Sequence, residues 1–421
     1  MTLNRAHIDK PFWVIFLSLL AVSILALFSS SSTIIMKATA AGHSPLRPIA
    51  LQIALLGVGV VFAYFLQFLP SWVYRVIGYL VFAVGLLFVL LNAFHIGHDV
   101  NGAYRWMKFG IFTIQSSELA KLGLVIVVSD LLARIHDEKS QAYYFRIVLV
   151  LTAVTCFLIM IGNLSTAILL GAVVIVLMIL AKIPWKWWTG IVAVAAIALI
   201  LMLLIVKFAF VDPGREEALK NTPLERAVTW VHRVWSHGEE KVNAEGTYRL
   251  TNDNYQEMMA RVAVAHGGQS PFGVGVGNSV QRNHLPLANA DYIFSIIVEE
   301  TGIVGAVLLS ILYLSILFRC CYASSRYSDY SSQLMVMGLG ILLTLQALIS
   351  MAVAVGLGPV TGQPLPMMTK GGTSALVTSI YFGIMMGVAR EQNEKQALQQ
   401  QTIEESESNV PDIEVDEVDK L

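Results

Sequence analysis

The sequence has few charged residues. Asp, Glu, Lys and Arg make up 14% of its 421 residues, whereas hydrophobic residues make up 56%. Soluble domains average about 25% charged and roughly 45–50% apolar residues. Together with a mean hydropathy of +0.66, this composition excludes an ordinary soluble domain and predicts an integral membrane protein.

The sequence also lacks an excess of basic residues and a set of paired cysteines. A net charge of -1 argues against a nucleic-acid-binding protein. Its cysteines are Cys156, Cys320 and Cys321, and this spacing excludes both a disulfide framework and a CxxC metal site. The histidines, His266 among them, show no zinc-ligand spacing, so we predict that they are ordinary loop residues.

Long apolar runs, in contrast, are abundant. Ten segments each come close to the ~20 residues that cross ~30 Å of hydrocarbon, and 145–182 must break near Ile161–Ser165 to give two of them. The first lacks a cleavage site, which favours a span over a signal peptide. We therefore predict an all-α polytopic membrane protein with ten transmembrane helices. They cover residues 12–34, 47–69, 72–94, 116–135, 145–161, 164–182, 187–210, 290–320, 332–356 and 371–390.

The basic residues of the short loops predict the orientation. The positive-inside rule places both termini in the cytoplasm and makes 211–289 a large extracytoplasmic loop between helices 7 and 8. The inner segments hold Arg5, Lys10, Arg75, Arg134, Lys139, Arg146, Lys182, Lys186, Arg319, Arg326, Arg390 and Lys395, whereas the short outer loops hold only Lys37, Arg47, Arg105, Lys108 and Lys370.

The chain divides into a membrane domain and a tail. Residues 1–390, with the outer loop 211–289 included, form the predicted ten-helix domain. Residues 391–421 are rich in Glu, Asp and Gln and show no apolar periodicity, which predicts an acidic, disordered cytoplasmic tail.

Polar residues gather first around the start of the fourth segment, in "NGAYRWMKFGIFTIQSSELAK". Glu118 and Lys121 are three residues apart and share a helix face, so we expect them to pair. In an alternative reading, Ser116 or Ser117 caps the helix and Glu118 lies near its positive end. That reading leaves the intramembrane Lys121 unexplained.

A second polar stretch, "VGLGPVTGQPLPMMTKGGTS", connects the last two segments. Such a backbone cannot face lipid, because its amides would go without partners, so it must line a cavity or pack on protein. The alternative is a rigid connecting turn.

A third stretch, "LPLANADYIFSIIVEETG", carries three carboxylates into an apolar segment. Asp291 lies at the entrance, where a plain helix cap is an alternative reading. Glu299 and Glu300 lie ~12–13 Å further along, and a charge at mid-membrane costs ~2.5–3.5 kcal/mol. We expect these two to organise polar contacts within the bundle. The preceding "FGVGVGNS" follows no predicted strand, so a dinucleotide-binding reading is weak.

Taken together, these motifs resemble the SEDS family of cell-wall polymerases, the FtsW/RodA/SpoVE group. The stretches "RWMKFG…IQSSELAK", "GGQSPFGVGVGNSVQR", "LPLANADYIFSIIVEETG" and "GPVTGQPLPMMTKGGTS" occur in family order over nearly the whole chain. The resemblance favours the division-type FtsW branch over the elongation type. The chain departs from the family pattern at Ser116, Asn163, Leu287, Asn289, Ala290, Thr369 and Lys370.

The resemblance implies a peptidoglycan glycosyltransferase that polymerises lipid II at the outer face of the bacterial cytoplasmic membrane, at the division septum. It implies a class B penicillin-binding protein and other divisome proteins as partners. Asp291 would be the base or metal-assisting carboxylate, and Glu118 would orient Lys121. The implied substrate-binding residues are Arg105, Trp106, Gln115, Ser117, Glu118, Lys121, Thr361, Gly362, Pro364, Pro366, Lys370, Gly371, Gly372 and Ser374, with Glu299 and Glu300 in support.

Chemical reasoning agrees with one essential carboxylate. Sugar transfer from a pyrophosphate needs a base for the acceptor hydroxyl, and cations such as Arg105 and Lys121 can stabilise the leaving group. This chemistry leaves room for a divalent cation, Mg²⁺ or Mn²⁺, at the pyrophosphate, although the sequence displays no ligand set. Two alternatives stay open: a transporter that moves lipid II across the bilayer, and a non-catalytic scaffold for the penicillin-binding protein.

Overall fold

The computed structural model describes residues 8–30, 44, 47–94, 98–100, 103–109, 112–136, 141–192, 200, 254–285, 291–369 and 372–408. Most of them are helical. The predicted seventh segment, 187–210, lies largely outside the described residues, as does the outer loop before residue 254. The helices are α1 (Lys10–Ser30), α2 (Arg47–Leu66), α3 (Ser71–Ala93), α4 (Ser116–Ala133), α5 (Gln141–Gly162), α6 (Leu164–Leu180), α7 (Tyr255–Gly267), α8 (Ile293–Ser324), α9 (Tyr330–Ala354) and α10 (Gly372–Ser408).

Six of the described helices are long and apolar enough to cross a membrane: α1, α2, α3, α5, α8 and α9. Helix α6 is apolar but shorter. Helix α4 carries Glu118, Lys121 and Asp130 and is almost wholly buried, because α3, α5 and α9 pack around it. The prediction of a helical, multi-pass membrane protein is therefore confirmed.

The break between α5 and α6 lies where the sequence predicted it. Asn163 leaves the helical conformation, with φ -157° and ψ 100°, and its side-chain oxygen accepts a hydrogen bond from the Thr166 N–H at 3.2 Å. An Asn at this position caps the new helix and satisfies one of its free amides.

Helix α8 is not the continuous span that the sequence predicted. Its 32 residues would measure about 48 Å as one helix, well beyond the ~30 Å hydrocarbon core. Gly302 breaks it, with φ 65° and ψ -163°, a left-handed conformation open mainly to glycine. We call residues 293–301 the first segment of α8; the remainder, 303–324, is long enough to cross the membrane.

The first segment of α8 lies at one end of the bundle. The Ser295 hydroxyl donates to the carbonyl oxygen of Ala354, the last residue of α9, at 3.0 Å. The Ser29 hydroxyl, in the last turn of α1, donates to Glu300. Both contacts join the segment to helix ends. The break at Gly302 ends the first segment just after Glu299 and Glu300, and Glu300 contacts Ser29 of α1. That these two carboxylates lie at mid-membrane stays a prediction.

A small antiparallel sheet precedes α4, where the sequence analysis predicted only a connection. Strands β1 (His98–Val100), β2 (Ala103–Phe109) and β3 (Phe112–Gln115) pair in that order. In the β2–β3 ladder Trp106 pairs with Gln115 and Phe109 with Phe112. Strand β3 packs against α10 and β2 against α3, so the sheet covers the start of α4.

The tail prediction also needs correction. Helix α10 continues to Ser408, so residues 391–408 are helical rather than disordered, and residues 409–421 lie outside the described part. Two ion pairs at i,i+4 spacing support the extension: Arg390–Glu394 at 2.9 Å and Glu391–Lys395 at 2.8 Å. Glu391 also accepts a hydrogen bond from the Ser71 N–H, which fastens α10 to the start of α3.

Candidate functional site

A buried ion pair lies at the start of α4. Lys121 Nζ is 2.7 Å from Glu118 Oε1 and 2.8 Å from Gln346 Oε1 of α9. Lys121 has no exposed surface and Glu118 is 6% exposed. The predicted Glu118–Lys121 pair is confirmed, and its partner from α9 was not foreseen. A buried lysine is stable only with such partners, so the ammonium is held by an anion and an amide oxygen.

The Pro-rich loop (residues 355–369) packs on protein, as its backbone required. The Gln346 amide donates to the Pro364 carbonyl at 3.0 Å, which joins this loop to the Lys121 pair. The Tyr313 hydroxyl donates to the Pro366 carbonyl. The Ser23 hydroxyl donates to the Met367 carbonyl at 2.5 Å. Helices α1, α8 and α9 therefore hold the loop inside the bundle.

The other predicted residues of this loop have simpler surroundings. Thr361 is partly buried, and Gly362 has φ 61°. Ser374 is buried in the first turn of α10. Gly372 begins α10, whereas Lys370 and Gly371 lie outside the described residues.

The sheet joins two further predicted residues. Trp106 of β2 is partly buried and pairs in register with Gln115 of β3, which is 8% exposed. Ser117 follows in the first turn of α4 and is partly buried. Arg105 lies on β2, but its side chain is outside the described part of the structure.

Asp291 stands two residues before α8 begins and is partly exposed. The next residue, Tyr292, is fully buried. Asp291 is therefore partly accessible and precedes the N-terminal end of the first segment of α8. This location agrees with the predicted position at the start of the helix.

Glu299 is the best-connected carboxylate in the described chain. It is completely buried and accepts hydrogen bonds from the Ser279 hydroxyl, from the Val280 N–H at 3.2 Å and from the Gln281 N–H at 3.3 Å. His266 Nδ1 lies 2.9 Å away. We call this set the Glu299 clip. It confirms the expectation that Glu299 organises polar contacts.

Glu300 extends these contacts to α1. It accepts from the Ser29 hydroxyl and from the Ser279 N–H at 3.4 Å. The Arg282 guanidinium donates to the Ser29 carbonyl at 3.2 Å. The two adjacent glutamates thus join the first segment of α8 to α1 and to the chain around Ser279.

The glycine loop (residues 271–279) caps the first segment of α8. The Val274 N–H donates to the Glu299 carbonyl at 3.0 Å, and the Gly275 N–H donates to the Glu300 carbonyl at 2.9 Å. Gly273 has φ 67°, and a Cβ there would lie 2.5 Å from the Glu299 carbonyl oxygen. The loop binds the carbonyl end of a helix, so the weak dinucleotide reading is not needed.

His266 is a site residue that the sequence does not reveal. Its spacing predicts an ordinary loop residue, but it lies in α7 and contacts Glu299 across 33 residues of sequence. Its signal was indirect: a buried glutamate needs donors, and His266 lies in the same extramembrane stretch as the glycine loop.

Helix α9 contacts two of the predicted groups of residues. Gln346 contacts Lys121, and Ala354, eight residues later, contacts Ser295 in the first segment of α8. Eight residues of helix span about 12 Å. The ion pair and the Pro-rich loop thus lie about 12 Å along α9 from the segment that Asp291 precedes.

Among the described residues, no three His, Cys, Asp or Glu side chains stand close enough together to hold a metal ion. Mg²⁺ commonly uses only one or two carboxylates of the protein together with substrate phosphates.

The chain also matches a known protein family. The FtsW/RodA/SpoVE family model, described as "Cell cycle protein", matches residues 10–394. The chain belongs to this family. The match covers every described helix except the last turns of α10.

Two similar proteins carry the same name. A protein of Hydrogenovibrio crunogenus named "Probable peptidoglycan glycosyltransferase FtsW" is 28% identical over 84% of this chain and 85% of its own length. A protein of Halorhodospira halophila with the same name is 30% identical over 87% of each chain.

Two solved structures share the fold. One is described as "Structural coordination of polymerization and crosslinking by a peptidoglycan synthase complex"; it has a TM-score of 0.70 and 22% identity, over 91% of this chain and 98% of that one. The other is the rod shape determining protein RodA of Thermus thermophilus, with a TM-score of 0.61 and 22% identity, over 92% and 99%.

Proposed function

We propose that this protein is a peptidoglycan glycosyltransferase that polymerises lipid II into glycan strands at the outer face of the cytoplasmic membrane. Family membership and the shared name of its relatives support this function. One structural observation carries it: Gln346 joins the Lys121–Glu118 pair to the Pro364 carbonyl, so motifs far apart in sequence meet at one place.

In the proposed reaction Asp291 takes the proton from the acceptor hydroxyl. A surface carboxylate beside the buried end of a helix can meet a substrate without entering the bundle. General-base catalysis contributes roughly 10²–10⁴-fold in rate. The pyrophosphate leaves without an acid because positive charge from Lys121 and Arg105 stabilises it.

Lys121 needs a conformational step to act in this way. It has no exposed surface, and Glu118 and Gln346 occupy two of its three donors. Direct contact with a pyrophosphate therefore requires the Pro-rich loop and Gln346 to move aside. Asp291 would be the residue to hold a divalent cation, Mg²⁺ or Mn²⁺, and the cation would supply positive charge to neutralise the pyrophosphate.

The proposed topology has ten membrane spans with both termini in the cytoplasm. The described helices match every predicted segment except the seventh, which falls largely in residues 193–210, outside the described part. The proposed location is the inner membrane at the division septum. Proposed partners are a class B penicillin-binding protein and other divisome proteins; the similar synthase complex, described by polymerisation and crosslinking, supports the first.

The deciding experiment is polymerisation of lipid II by the purified protein with its transpeptidase partner, read as glycan chain length on a gel. Wild type should make chains. Asp291→Asn should lose at least ~10²-fold in rate while staying folded and partner-bound. The matched control is Asp329→Asn. Asp329 precedes α9, at the end of that helix opposite to Ala354, so this variant should keep activity.

Other outcomes point to the alternatives. If Asp291→Asn makes chains at the wild-type rate, Asp291 is only a helix cap and the base lies elsewhere. If wild type makes no chains but moves lipid II across vesicles, the protein is a transporter. If it does neither and still binds the penicillin-binding protein, it is a scaffold.

A further inference from the structure

A groove of about 360 Å³ lies between α7 and the chain around the glycine loop, and the proposed reaction does not use it. Its walls come from α7 and from the chain just after the glycine loop. They are formed by Val262, Ala265, His266, Gln269, Val280 and Gln281. This volume is near the lower end of the ~300–1,000 Å³ typical of small-molecule sites, so the groove fits a small ligand or one unit of a long one.

The lining favours a neutral ligand. Within the described part of the chain, no Lys, Arg, Asp or Glu lines the groove to offer a counter-charge to a phosphate or a metal cation. Glu299 stands behind His266 but is completely buried. The side-chain amides of Gln269 and Gln281 each offer donors and an acceptor. Between them lie the apolar surfaces of Val262 and Val280.

His266 is held in one orientation at the groove. Its Nδ1 lies 2.9 Å from Glu299 Oε1. A carboxylate oxygen without a proton can only accept, so Nδ1 is the donor when Glu299 is ionised. In the neutral ring Nε2 then offers a lone pair, and the side chain is 37% exposed. A buried carboxylate that fixes the imidazole of a half-exposed histidine is an arrangement for contacting a ligand hydroxyl.

We propose that this groove is a sugar-binding subsite for the glycan strand and that His266, oriented by Glu299, is its positioning residue. Neutral hydroxyl and acetamido groups match the amides and the imidazole, and the apolar wall matches the face of a sugar ring. The inference rests on the proposed function, since only a glycan polymerase presents such a strand here. Glu299 joins the groove to the helix segment that begins beside Asp291.

The first test is direct binding and needs no turnover. A soluble tetrasaccharide of N-acetylglucosamine is titrated into the wild-type protein by calorimetry, beside the amidated stem pentapeptide. The tetrasaccharide should bind, and His266→Leu and Gln281→Leu should each weaken it about three- to tenfold, the loss of one hydrogen bond. The Gln281 change removes a groove side chain and leaves the backbone N–H of the clip in place.

The second test is kinetic. With the tetrasaccharide as acceptor, His266→Leu and Gln281→Leu should raise the KM for the tetrasaccharide by the same factors by which they weaken its binding. In contrast, kcat and the KM for lipid II should change less than about twofold. His266→Gln, which keeps a donor and an acceptor, should recover part of the affinity. The matched control is His284→Gln, at the residue that follows the 3₁₀ turn Gln281–Asn283. The His284 ring faces the Val280 carbonyl and does not line the groove.

Each result supports or overturns the sugar-binding subsite. Tetrasaccharide binding that both Leu variants leave unchanged overturns the subsite, as does binding of the pentapeptide alone. If kcat falls and KM rises by equal factors in variants whose melting temperature is also lowered, His266 is a structural residue. If the tetrasaccharide binds at the groove but wild type makes no chains, the subsite stands and the polymerase proposal fails.

Discussion

Glu118 and Glu299 are both buried, yet the protein keeps them there by different means. Glu118 is paired with a full positive charge, because Lys121 Nζ lies 2.7 Å away and has no other anionic partner among the described contacts. In the part of the chain that the structure describes, no lysine or arginine contacts Glu299; a hydroxyl, two backbone amides and an imidazole surround it. One site depends on a single ion pair, and the other spreads the charge over several dipoles.

The difference predicts different sensitivity. A single ion pair is lost entirely when one partner goes, whereas a carboxylate held by many donors loses its contacts one at a time. The first arrangement suits a residue whose partner must be exchanged for a substrate charge. The second suits a fixed joint, here between α7, the glycine loop and the first segment of α8.

The largest effect should follow Lys121→Met. The substitution leaves Glu118 buried without a counter-charge, and breaking a buried pair in this way costs about 3–5 kcal/mol in the free energy of unfolding. Denaturant unfolding in detergent micelles measures it. The double variant Glu118→Gln with Lys121→Met should recover most of that stability and still fail to polymerise lipid II. Equal stability of the single and double variants would show that no uncompensated charge was created.

A smaller effect should follow Glu299→Gln. The introduced amide side chain would keep one acceptor oxygen, but its NH₂ group would face the backbone N–H groups of Val280 and Gln281. Those groups can only donate hydrogen bonds. We expect a loss of about 1–2 kcal/mol and faster proteolysis within residues 271–281. The paired control is Glu300→Gln, which accepts from one hydroxyl and one amide and should lose less. A greater loss at Glu300 would refute the ranking of the two glutamates.

What the sequence revealed was local. Hydropathy predicted the spans, and the spacing of three residues predicted the Glu118–Lys121 pair, because both depend on near neighbours along one helix. The Pro-rich loop was predicted to pack on protein because its backbone amides cannot face lipid. None of these inferences needed knowledge of which helices are adjacent.

What the sequence hid depends on tertiary contacts. The Gly302 break is stabilised by the glycine loop some thirty residues earlier, so an isolated glycine in an apolar run gave no clear signal. The sheet before α4 is short and leans on α3 and α10. His266 acquires its partner only when α7 packs on α8. The extension of α10 is different: its Glu, Gln, Lys and Ala residues are strong helix formers, and helix propensity alone favoured it.

The smallest effect concerns Glu391, a carboxylate that combines both arrangements. Burial acts to raise its pKa, but hydrogen bonds from Lys395 and the Ser71 N–H outweigh it, and the net pKa lies below the ordinary value of 4.5. Its contribution to stability is therefore fully present above that value and is lost as the pH falls through the lowered folded-state pKa. Because Lys395 is half exposed, we expect no more than ~1 kcal/mol. Unfolding of wild type and Glu391→Gln between about pH 3.5 and pH 6 measures the difference. The two curves should converge at the acid end, since protonation then removes the same contacts from wild type; a difference that grows as the pH falls would mean that Glu391 is held by neither partner.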